Sequence, residues 1–130
     1  MVTDGIKTVL RMEGIALFAA SLFAYYWFSG SWTMFAVLFF APDVAFTAYL
    51  ISPRFGSICY NLLHSTIGPF VLFAFGWWLE PSGGMHILRD IMQFTAIIWM
   101  AHVGFDRAVG YGLKYASGFK DTHLGRIGRA

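Results

Sequence analysis

Glu13, Asp43, His64 and His102 stand inside or at the rims of long apolar stretches of this sequence, where ionisable groups are costly. Two imidazoles with carboxylates suit a divalent metal such as zinc, iron or manganese. Asn61 precedes His64 by three residues and Asp106 follows His102 by four, so each pair shares a helix face. Arg54 and Arg107 lie near the same helix ends and are expected to receive an anionic group, with Asp106 orienting His102 or Arg107. Other chemistries fit less well. Neither Glu13 nor Glu80 begins a Glu-x-x-His pair, which a di-iron bundle requires on two helices. His-Glu-x-x-His, Cys-x-x-Cys and phosphate-binding glycine loops are absent, and Cys59 stands alone. Ser65, His102 and Asp106 could be assembled into a hydrolase on paper, but nothing recommends Ser65 as a nucleophile. A single axial His64 or His102 would suffice for a haem or chlorin.

Plainer readings stand beside these. Asp43 and His64 could be a structural interhelical pair. Asp106 could cap its helix against Arg107 or Arg54, and Glu13 could snorkel with Arg11. His86 and His123 read as solvated residues.

The elements that must position these groups follow from composition. The chain has 130 residues, 58% hydrophobic and 12% charged, with a mean hydropathy of +0.61. A soluble domain carries about a quarter charged residues, so a normal aqueous surface is excluded. No Asp, Glu, Lys or Arg occurs from Gly14 to Pro42, from Phe55 to Leu79, or from Ile91 to Phe105. A spanning helix takes roughly 20 apolar residues. Four spans are expected, near Val9–Phe28, Trp32–Ile51, Gly56–Leu79 and Ile87–Phe105, with a retained first helix rather than a cleaved signal. The short connections "SGS", "SPRF" and "EPSGGM" force an all-α, up-down-up-down integral membrane bundle. Eight of the nine Lys and Arg residues fall on the side of the two termini, Arg89 being the exception. The positive-inside rule then makes both termini cytoplasmic. Trp27, Trp32, Trp77 and Trp78 gather toward the opposite interface.

With these spans, Asp43 and His64 each lie roughly 12 Å from the cytoplasmic helix ends and are level partners. Glu13, Asn61 and His102 form a shallower layer at about 5–8 Å. The other half is nearly pure Phe, Leu, Ala and Trp, so the polar groups imply a cavity open to the cytoplasm and no path through the bundle. Pro42 and Pro69 interrupt their helices near Asp43 and His64 and free backbone carbonyls. Residues 1–109 are expected to form the bundle. The Gly-rich, basic segment 110–130 is expected to be a cytoplasmic tail that either holds anionic lipid or folds back under the bundle as a lid, or docks on a partner.

The stretches "RMEG" (11–14), "APDVAF" (41–46), "NLLHS" (61–65), "AHVGFDRAVGYGLKY" (101–115) and "GFKDTHLGRIGR" (118–129) resemble the motifs of small bacterial four-span membrane proteins grouped as domain of unknown function 4260. The likeness runs along essentially the whole chain and implies a bacterial inner-membrane protein of the same fold, without an activity. Two function classes remain. One is a binding or catalytic membrane protein whose Glu13, Asp43, His64 and His102 hold a metal, or which binds a small anionic or lipid ligand with Asn61 and Asp106 added to those four. The other is an accessory subunit of a larger respiratory or photosynthetic membrane complex, with or without a His-ligated tetrapyrrole. Besides the lipid bilayer no partner is named, and nothing points to nucleic acid.

Overall fold

The computed structural model describes residues 3–79 and 84–128. Glu80, most of the expected "EPSGGM" turn and Arg129 lie outside the described residues. The chain is mostly helical. Helix α1 (Asp4–Trp27) is followed by α2 (Trp32–Leu38), a 3₁₀ segment (Ala41–Leu50), α3 (Pro53–Leu63), α4 (Ile67–Trp78) and α5 (His86–Val109). Two-residue strands, β1 (Asp121–Thr122) and β2 (Gly125–Arg126), pair antiparallel in the C-terminal segment.

Two of the four expected spans are therefore broken, each at the proline. Pro42 opens the 3₁₀ segment, where a missing N–H costs least. At 3.0 residues per turn the side chains at i and i+3 eclipse, so Asp43, Phe46 and Tyr49 form one row. Pro69 sits in the first turn of α4, again among N–H groups with no intrahelical partner. Between α3 and α4 the axis bends by 42° at His64–Thr66. The freed carbonyls find donors on α5: Trp99 Nε1 donates to Leu63 O, and Arg107 Nη2 donates to His64 O at 3.4 Å.

Helix α5 is the spine, packed against α1 along one side and α4 on another. Glycines set the α1–α5 approach. A Cβ at Gly14 would fall 2.5 Å from Ala108 N, and one at Gly104 would fall 2.6 Å from Phe18 N. Arg11 Nε donates to Ala108 O at 2.9 Å, so α1 begins where α5 ends. At the far end of the molecule Tyr25 is fully buried, its ring edge-on to Trp32, Phe35 and Phe94. Its hydroxyl donates to Ser31 O at 2.6 Å, closing the α1–α2 turn.

Among the described residues, the α2–3₁₀ stretch Trp32–Leu50 is long and apolar enough to cross a membrane, and α3 with α4 qualifies if the bent pair counts as one span. Helices α1 and α5 have the length, at 24 residues each, but carry too many polar groups. Four uninterrupted apolar spans are thus not what the chain forms. The apolar exterior is nonetheless extensive: Phe23, Trp27, Val37, Phe70, Trp77 and Trp78 are all more than half exposed.

Candidate metal centre

Three elements deliver four side chains to one point. His64 caps the C-terminus of α3, Asp43 comes from the first turn of the 3₁₀ row, and His102 with Asp106 comes from one face of α5. Four of their ligand atoms lie within 4.8 Å of one another. His64 Nε2 is 3.1 Å from His102 Nε2, 3.4 Å from Asp43 Oδ1 and 3.5 Å from Asp106 Oδ2. His102 Nε2 is 3.4 Å from Asp43 Oδ1 and 3.9 Å from Asp106 Oδ2. A tetrahedral ion bound at about 2.0–2.2 Å separates its donors by roughly 3.3–3.6 Å. The observed spacing brackets that value.

The surroundings suit the same reading. His64 Nδ1–H donates to Tyr60 O at 2.9 Å, which leaves Nε2 with its lone pair toward the group. The His64 ring stacks on Tyr60 at 3.7 Å, and the Tyr60 hydroxyl donates to Asp106 Oδ2 at 3.0 Å. His102 is held by packing instead, edge-on to Phe39 and Phe40, and its Nδ1 has no hydrogen-bond partner among the described residues. Both imidazoles are buried, Asp106 nearly so, whereas the Asp43 side chain is 31% exposed. Asp43 is the most exposed of the four donors.

The level pairing of Asp43 with His64 and the shared face of His102 and Asp106 are thus present in the fold. Other expected members are elsewhere. Glu13 is exposed on α1: its neighbour Gly14 takes the buried face against α5, and one residue along a helix turns a side chain by about 100°. Asp106 stands in its place. It faces His102 Nε2 rather than Nδ1, so it is a donor beside His102 and not the acceptor that orients it. Arg107, one residue on, turns away to the His64 carbonyl, and Arg54 is exposed in the first turn of α3. Neither reaches the centre. Asn61 is no ligand either. Its side-chain amide pairs with the backbone of Lys114 in both directions, accepting from Lys114 N at 2.7 Å and donating to Lys114 O at 2.8 Å.

That clamp fastens the C-terminal segment, which folds back onto the bundle. Gly110, at φ 99°, ends α5 in the left-handed conformation that favours glycine. Lys114 bridges to Thr122, and His123 N donates to Leu113 O at 3.0 Å. His123 is therefore not a solvated residue: its Nδ1 accepts from Leu113 N at 2.8 Å, and burial with the Arg107 charge lowers its pKa. Lys114 is 4% exposed, its Nζ donating to Phe119 O at 2.8 Å over the rings of Phe119 and Tyr60. Burial pushes its ammonium down to about 8, against the opposing pull of Asp106. A cavity of about 310 Å³ lies between this segment and the cluster, lined by Asp43, Tyr60, His102, Asp106 and Lys114 among aromatic side chains.

Tyr60 and Lys114 escaped the sequence reading. The available signal for Tyr60 was its place one turn before His64; for Lys114, far along the chain in a segment read as a tail, there was none.

The family model described as Domain of unknown function (DUF4260) matches residues 7–127. The chain belongs to this family. The matched range of this chain takes in the four-residue cluster, the Asn61–Lys114 clamp and the β-hairpin of the C-terminal segment. No curated protein and no solved structure matches the chain.

Proposed function

We propose that this DUF4260 member is a bacterial inner-membrane protein, with both ends cytoplasmic, that holds a divalent metal ion between Asp43, His64, His102 and Asp106. The observation that carries the metal reading is the mutual spacing of the four donors, which fits a tetrahedral ion. Two imidazoles, two carboxylates and that geometry favour zinc. Four protein donors make a closed site, whose first effect is to tie the 3₁₀ segment, α3 and α5 together. Exposure of Asp43 gives the ion one position at which water or a ligand can replace a protein donor. The membrane reading rests on the exposed Phe and Trp side chains, the apolar Trp32–Leu50 stretch and the one-sided basic residues.

A tetrapyrrole fits less well, because the two Nε2 atoms face one another at 3.1 Å and leave no room for a macrocycle between them. An accessory role in a larger complex has only the apolar exterior behind it, which a bilayer covers equally well.

The test is a metal analysis and a visible spectrum of protein purified from its native membrane, beside His64→Ala/His102→Ala. A stoichiometric divalent metal that disappears in the double variant is expected. Wild-type protein that stays metal-free after zinc is offered and dialysed would overturn the reading.

A further inference from the structure

The cavity beside the cluster has a composition of its own. Phe40, Phe46, Phe105 and Phe119 wall it, three of the four cluster residues line it as well, and Lys114 reaches it from the folded-back segment. Lys114 carries the decisive feature. Its ammonium is buried, yet among the described residues no carboxylate lies within ion-pair distance of it; its partners are the Phe119 carbonyl and ring faces. Buried charges are ordinarily paired, because desolvation is costly. With its pKa near 8 the amine is mostly protonated at neutral pH.

Charge balance points the same way. If Asp43 and Asp106 offset a divalent ion bound to two neutral imidazoles, Lys114 leaves one positive charge over. An anionic group in the cavity would neutralise it, and the aromatic walls would cover an apolar body. At about 310 Å³ the space is at the low end for small-molecule sites, too small for a long-chain lipid.

We infer that this cavity binds a small amphipathic carboxylate, with the carboxylate on Lys114 and the apolar body among Phe40, Phe46, Phe105 and Phe119. The charge count rests on the proposed metal; the unpaired ammonium and the aromatic walls do not. The site is specific for an anion, so an uncharged alcohol of the same length binds more weakly.

Equilibrium dialysis of labelled hexanoate and of hexanol tests this, on full-length protein in nanodiscs against empty nanodiscs, with zinc measured on the same samples. Saturable hexanoate binding is expected, weakened about tenfold or more in Lys114→Met, while zinc content stays at the wild-type level. Ile127 also lines the cavity, and Ile127→Trp, which fills it and leaves Lys114 in place, is expected to exclude hexanoate as well; it decides the matter if Lys114→Met fails to fold. Lys114-dependent hexanoate binding by protein that takes up no zinc would uphold the cavity and remove the metal. Hexanoate bound no more tightly than hexanol, binding unchanged in folded Lys114→Met or in Ile127→Trp, or no saturable binding by the wild type with or without zinc would each overturn the inference.

Discussion

Replacing Asn61 by Leu tests how the C-terminal segment is held. The side-chain amide makes two hydrogen bonds to one residue, Lys114 N to Asn61 Oδ1 at 2.7 Å and Asn61 Nδ2 to Lys114 O at 2.8 Å. It acts as a peptide group would in a strand pair. Leucine has the same branched shape and number of side-chain heavy atoms but neither donor nor acceptor, so both backbone groups of Lys114 lose their partner. At about 0.5–1.5 kcal/mol net for each bond, the loss is about 2 kcal/mol. That corresponds to roughly a 30-fold shift toward the undocked segment. The assay is limited trypsin digestion in nanodiscs. The bond after Lys114 is inaccessible while the residue is buried, and its cleavage follows the open population when reclosing is fast. Cleavage about 30-fold faster, with helical circular dichroism unchanged, is expected. Cleavage after Lys114 no faster than in wild type would show that the clamp contributes nothing and that the remaining contacts, among them Phe119 on Phe46 and Tyr49, hold the segment.

Zinc is expected to raise the unfolding temperature of the wild type, by the equivalent of about 2.7 kcal/mol at a hundredfold excess over Kd, and to leave His64→Ala/His102→Ala unmoved; differential scanning fluorimetry reads both. Tyr60→Phe removes the hydroxyl that donates to Asp106 Oδ2 and is expected to weaken zinc binding about 10- to 100-fold in a competition titration with a chelator. Gly104→Ala drives a methyl group into the α1 backbone at Phe18 and is expected to cost about 1–3 kcal/mol, seen as a lowered unfolding temperature. Docking of the C-terminal segment is expected to tighten as pH rises, in two windows. The docked state binds less proton than the free one below about 6.5, where His123 is held neutral, and again between about 8 and 10.5, where Lys114 is. Trypsin cleavage after Arg126, followed as a fraction of the rate in a denatured control at each pH, is expected to fall through both windows.

Periodicity and charge made the helical class and the interruption of two helices near Pro42 and Pro69 legible in advance, but not the division of the chain into five helices and a 3₁₀ segment. The level of Asp43 with His64 followed from counting residues to the helix ends, and the His102–Asp106 pair from helical spacing, because both depend on distances along a single rod. Which groups converge depends on the rotation of each rod about its axis, and no local pattern records that. Gly14 and Gly104 turn α1 so that Glu13 faces outward, and Arg107 turns from the centre that Asp106 enters. The 3₁₀ winding that aligns Asp43, Phe46 and Tyr49 is likewise a tertiary outcome, since an α-helical period would have set them apart. Helix class, apolar character and the family thus belong to the sequence alone, being sums over local residues. The rotation of α1 and α5 decided that Asp106 and not Glu13 joins the cluster, and the role of Asn61 and the burial of Lys114 were decided only when a Gly-rich segment, with no periodicity to announce its place, folded back over fifty residues to meet α3.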